Sequence, residues 1–174
     1  MIYCKPDRNE RTKLNRALDR WGAFEFFNDK VVILQKDDTK KVKVCLVNSK
    51  IEQLTADLID PYGLGLVIGE LRKQFIPSIA GADLFARHGT RNKFYVVVSE
   101  KAEKLVLYGR DIMGESIVEV SGDLMENELV ILLNTSFEAI AIGRTRFSGN
   151  ALLQKGKVTI TTVADAGYYL RDEG

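Results

Sequence analysis

From Lys93 onward the chain reads as short β-rich runs separated by glycine turns, and this pattern constrains the fold more than any other feature. The runs are Phe94–Val98, Ile117–Val120, Leu129–Leu133, Ala139–Ile142 and Val158–Val163, with a helix near Glu100–Leu105 and an apolar close at Tyr168-Tyr169-Leu170. Charge is segregated along the same stretch. Between Arg110 and Arg144 there is no Lys or Arg, only Asp111, Glu115, Glu119, Asp123, Glu126, Glu128 and Glu138. Between Glu138 and Asp165 there is no Asp or Glu, only Arg144, Arg146, Lys155 and Lys157. A small β unit with one acid-free basic corner is suited to holding a polyanion at that corner.

The first half carries mixed signals. Asp7 is placed to cap a helix running to about Trp21, with Leu14, Ala17, Leu18 and Trp21 on one face and Gly22 as the stop. Val31–Leu34 reads as a strand, 36–40 as a polar hairpin turn, and Val42–Val47 as the partner strand. Ser49 is placed to cap a helix through about Leu58, and Pro61-Tyr62-Gly63 breaks the chain. A short helix is expected over Gly65–Lys73, an edge strand over Phe75–Ile79 because Pro77 cannot donate to a ladder, and one helical turn over Asp83–Ala86. The polar run 87–92 marks a domain boundary, dividing the chain into 1–91 and 92–174.

Bulk properties set the limits. With 174 residues, the chain should bury roughly 70% of its unfolded surface, enough for a real core. The formal net charge is +1, with a balance of +4 over residues 1–92 and −3 over 93–174. Nucleic-acid binding therefore has to come from local clustering. Cys4 and Cys45 are too few for a disulfide framework and read as reduced cytosolic thiols. The start lacks a signal peptide's apolar core, and no apolar run approaches the ~18 residues of a membrane span. A cytoplasmic location is expected, or nuclear and nucleolar in a eukaryote.

Catalytic signals are weak. His88, the single histidine, falls in a polar loop by this reading, which leaves no second candidate for a Ser-His or Cys-His pair. Two cysteines and a distant histidine do not make a zinc site. Gly63, Gly65 and Gly69 lack dinucleotide-fingerprint spacing and read as turn and packing glycines. The acids of 111–138 lack the short repeated spacing of a metal cluster and read as a solvated face. Lys36, Lys40, Lys41 and Lys43 are interrupted by Asp37 and Asp38; they fit a protected sheet edge better than an RNA contact. No catalytic residue, metal or cofactor is expected.

Arg144, Arg146, Lys155 and Lys157 remain. Residues two apart share a strand face, so each pair points one way, and a hairpin between the two segments could bring all four onto one surface. Gly156 would allow close backbone approach to a phosphate. Phe147 could stack a base, although a core position is at least as good a reading.

The run Leu107-Tyr108-Gly109-Arg110-Asp111-Ile112, then Gly122-Asp123, Leu129–Leu133 and Ala139–Arg144, resembles the PUA domain, an RNA-binding module. The whole chain resembles the Nip-seven family of two-domain ribosome-biogenesis proteins. The matching parts are Val44-Cys45-Leu46-Val47 leading into Ser49-Lys50-Ile51, Leu64-Gly65 with Gly69, Lys93–Val97, Leu107-Tyr108-Gly109, Ile142-Gly143 and the tail Ala164–Arg171. The resemblance implies an α+β fold: an N-terminal antiparallel sheet with helices, followed by a C-terminal PUA-like β pseudobarrel. It also implies a non-catalytic factor of the large ribosomal subunit. Such a factor would bind precursor rRNA, single-stranded or in loops, through the PUA domain and other assembly proteins through the first domain. Basic residues of archaeal-type members fall near Arg144, Arg146, Lys155 and Lys157, whereas eukaryotic-type members lack part of the set. The alternatives are an RNA-modification enzyme or its accessory subunit, and a protein adaptor that has lost RNA binding.

Overall fold

In the computed structural model the described residues are 2–28, 30–37, 41–49, 63–90 and 93–171. The expected helix after Ser49, through Leu58, and the turn residues 38–40, with Lys40, lie outside them. Two sheets organise the fold. The first is antiparallel, with order β1-β2-β3-β4-β5: β1 (Ile2–Cys4), β2 (Val31–Lys36), β3 (Val42–Val47), β4 (Leu66–Leu71) and β5 (Phe75–Pro77). The second comprises β6 (Tyr95–Val98), β7 (Ile112–Met113), β8 (Ile117–Val120), β9 (Leu129–Leu133), β10 (Ala139–Thr145) and β11 (Val158–Asp165). Its order is β7-β11-β10-β9-β6-β8, with β6 parallel to β9 and the other pairs antiparallel, and it curls into a half-barrel. Irregularities in β10 at Ala139/Ala141 and Ile142/Gly143 supply bends of the kind that curvature needs.

Helix α1 (Arg8–Arg20) follows its sequence signals. Asp7 accepts from the Glu10 N–H (2.8 Å) while Glu10 accepts from the Asp7 N–H (2.9 Å), a reciprocal cap that satisfies two otherwise orphan donors. Leu14 and Leu18 are buried, and Gly22 takes a left-handed turn (φ 64°) after Trp21. The short α2 (Phe24–Phe27) follows.

Two expectations need correction. Residues 66–71 form strand β4, not a helix: the run Leu-Val-Ile-Gly-Glu-Leu suits a pleat, and Gly69 sits where a Cβ would lie 2.4 Å from the Ile76 carbonyl and 2.5 Å from the Phe75 ring. The single turn expected at Asp83–Ala86 is the middle of a ten-residue helix, α3 (Ile79–His88), started by Ser78, whose hydroxyl accepts from the Gly81 N–H (3.0 Å). His88 is therefore the last residue of a helix rather than part of a loop, and its ring stacks on Phe26 at 3.9 Å.

Helix α3 lies between β4 and β10, joining the two sheets. One core runs across them, from Trp21, Phe27, Phe75 and Phe85 to Tyr95, Leu129, Ile131 and Ile142. The Tyr95 hydroxyl donates to the Phe85 carbonyl (2.8 Å) and lies 3.1 Å from that of Trp21. A second core fills the half-barrel under α4 (Glu100–Leu107), with Val96, Val106, Leu132 and Leu152 among its members. The last described element is α5 (Tyr168–Arg171), where Arg171 grips the nearly buried Asp165 with both nitrogens at 2.9 Å and donates to the Leu107 carbonyl.

Candidate nucleic-acid interface

The expected hairpin exists. β10 and β11 pair with Arg144 opposite Thr161, and the Arg146 N–H donates to the Thr159 carbonyl (2.8 Å). Arg144 and Arg146 therefore stand at the end of β10, with Lys155 and Lys157 in the turn that enters β11. Arg146, Lys155 and Lys157 are exposed and Arg144 is half-buried. Among the described residues none of the four is in an ion pair.

The four do not share one environment. Arg144 donates to the Asn127 carbonyl (2.7 Å), turning toward α1. Arg20 of α1 arrives beside it: its guanidinium meets the Glu128 carboxylate at 3.1 Å and lies over the Phe94 ring at 4.4 Å. The two arginines thus converge on neighbouring residues. Burial pushes the Arg20 guanidinium below its ordinary value; Glu128 opposes that shift and Arg144 adds to it. At the other end Lys157 lies 5.8 Å from the centre of the Phe147 ring, which also packs against the half-barrel core. Phe147 is thus partly core, with its ring under the Lys157 ammonium.

The corner is acid-free in sequence but not in space. Glu115 folds in from the acidic block, and its carboxylate accepts from the Gly156 N–H (2.9 Å). Its own backbone N–H, the Gly156 N–H and the nearby Lys155 ammonium hold this carboxyl below its usual range. Gly156 (φ 72°) is therefore a turn glycine whose N–H is already taken by a carboxylate. Other acids of the block have local work too. Asp111 accepts from the Thr162 N–H (2.9 Å), Glu138 accepts from the Asn134 amide (2.9 Å), and Glu128 accepts from the Met125 N–H (2.9 Å).

Lys36 and Lys43 of the first hairpin sit on paired strands, and Lys36 is bonded to Glu10 (2.7 Å), which raises its pKa. Cys45 is buried, and burial pushes its thiol pKa up, as expected for an unreactive cysteine. Among the described residues no group of three or more His, Cys, Asp or Glu could hold a metal ion, and no helix is long and apolar enough to cross a membrane.

A curled mixed sheet with a basic hairpin is the architecture of a PUA-domain protein, a class associated with RNA. Residues 94–174 match the family model described as the UPF0113 PUA domain. The chain is also similar in fold to a conserved PUA domain protein from Thermoplasma acidophilum, with a TM-score of 0.69, 14% identity and 99% of each chain covered. Residues 3–79 match the NIP7/UPF0113 pre-PUA domain. Over 175 residues the chain is 30% identical to a UPF0113 protein of Archaeoglobus fulgidus, covering 99% of this chain and 97% of the relative. The chain belongs to the NIP7/UPF0113 family. A more partial likeness, 28% identity over 116 residues, is to the tRNA-guanine(15) transglycosylase of Methanocaldococcus jannaschii; it spans 65% of this chain and 17% of that enzyme.

Proposed function

We propose that this protein is a non-catalytic RNA-binding factor in assembly of the large ribosomal subunit. It holds precursor rRNA, single-stranded or in loops, on the β10–β11 hairpin through Arg144, Arg146, Lys155 and Lys157. One observation supports the reading: the hairpin carries four cations, none of them in an ion pair among the described residues. Charges left unpaired in the folded chain are available for phosphate contacts. Residues 1–91 form the part that meets other assembly proteins and residues 92–174 the part that meets RNA, in the cytoplasm or, in a eukaryote, the nucleus and nucleolus.

Ultraviolet crosslinking in cells, followed by sequencing of the bound fragments, tests the assignment. The expected result is enrichment of large-subunit precursor rRNA, lost when all four cations are replaced by Ala. The partial likeness to a tRNA transglycosylase favours a second reading, an RNA-modification enzyme or its accessory subunit. Crosslinks confined to tRNA, with turnover of a tRNA substrate, would establish that reading instead.

A further inference from the structure

A second cationic site lies on α1, outside the PUA sheet. Lys13, Arg16 and Arg20 follow one another at spacings of three and four, so they share one helix face. With Lys73 and Gln74 from the β4–β5 turn they rim a cavity of about 210 Å³ floored by Ala17, Trp21, Phe75 and Leu129. No acid lines it. Lys13, Arg16 and Lys73 are exposed and have no carboxylate partner among the described residues. Trp21, in the floor, is 1% exposed, and its indole Nε1 is buried with no hydrogen-bond partner among the described residues.

The cavity also adjoins the hairpin. Arg20, on its rim, ion-pairs with Glu128, while Arg144 donates to the Asn127 carbonyl one residue away. Arg20 and Arg144 thus link the cavity's rim to the hairpin, with the Glu128 carboxylate against Arg20. A rim of exposed cations suits the phosphates of a nucleic-acid strand.

We infer that this α1 cavity binds a second segment of the same RNA, through Lys13, Arg16 and Lys73. The inference rests on the RNA reading above and extends its footprint from the PUA hairpin onto the first sheet.

The test compares two fluorescent single-stranded RNAs, of about 4 and about 15 nucleotides, the short one unable to span both sites. The K13A/R16A/K73A variant alters only exposed side chains. It should bind the long RNA at least about tenfold more weakly, with a salt slope shallower by about 2, and the short RNA nearly as the parent does. Trp21 is the single tryptophan, so its emission reports on the cavity directly; it should change on adding long RNA to the parent but not to the triple variant. Three results would overturn the inference: unchanged affinity for the long RNA, equal weakening for both lengths, or displacement of RNA from this site by polyglutamate at matching affinity, which would reassign it to an acidic protein segment. In the first two cases the hairpin site would stand. A parent that bound neither RNA would remove the RNA reading itself, and the cavity's role with it.

Discussion

Glu115 shows how one side chain changes the meaning of a charge pattern. It starts in an acidic block and ends on the Gly156 N–H, inside the segment that is purely basic in sequence. Its depressed pKa sets the sign of a pH effect. A carboxyl with a folded pKa below its unfolded value stabilises the fold above the unfolded value and stops doing so as pH falls through the folded one. The parent should therefore resist urea better than Glu115→Gln at about pH 6, with the gap closing toward about pH 3. A gap that did not change with pH would show that the carboxylate's charge is not what holds the turn. The same substitution should strengthen RNA binding slightly by unmasking Lys155. None of this was legible in the sequence, because residues 115 and 156 meet only through tertiary pairing.

At the scale of elements, legibility followed the strength of local signals. The α1 cap, the hairpin of β2 and β3, and strands β6 and β8 to β11 are all readable because apolar periodicity and turn residues agree there. Strand β4 is not, since Gly65 and Gly69 obscure a β-branched run and the strand's identity depends on pairing with β3 and β5. The length of α3 was hidden by Gly81, which is accommodated because a Cβ there would lie 1.9 Å from the Ile68 carbonyl. Gly69→Ala tests the assignment of β4: the new methyl meets the Ile76 backbone and the Phe75 ring, and should cost about 1–3 kcal/mol in urea denaturation. A neutral outcome would mean that β4 and β5 are not packed this closely. The same locality explains the site. The four hairpin cations stood out as a run, whereas Lys13, Arg16, Arg20 and Lys73 are divided between a helix and a distant turn. Only their spacing along α1 was available as a signal.

At the scale of the molecule, the two sheets share a core, and the Tyr95 hydroxyl ties the second sheet to α3 and the end of α1, so the hairpin is mounted on a packed base. With net charge close to zero, RNA affinity has to come from a local field and should be strongly salt-dependent. The central claim is that Arg144, Arg146, Lys155 and Lys157 supply that field. Titration of a single-stranded RNA against the parent and the four-Ala variant, across a range of salt concentrations, tests it most directly. The parent should show a log-affinity against log-salt slope of at least about −3 in magnitude, and the variant should lose most of its binding while its unfolding transition barely moves. A four-Ala variant that bound RNA with the parent's affinity and slope would contradict the account.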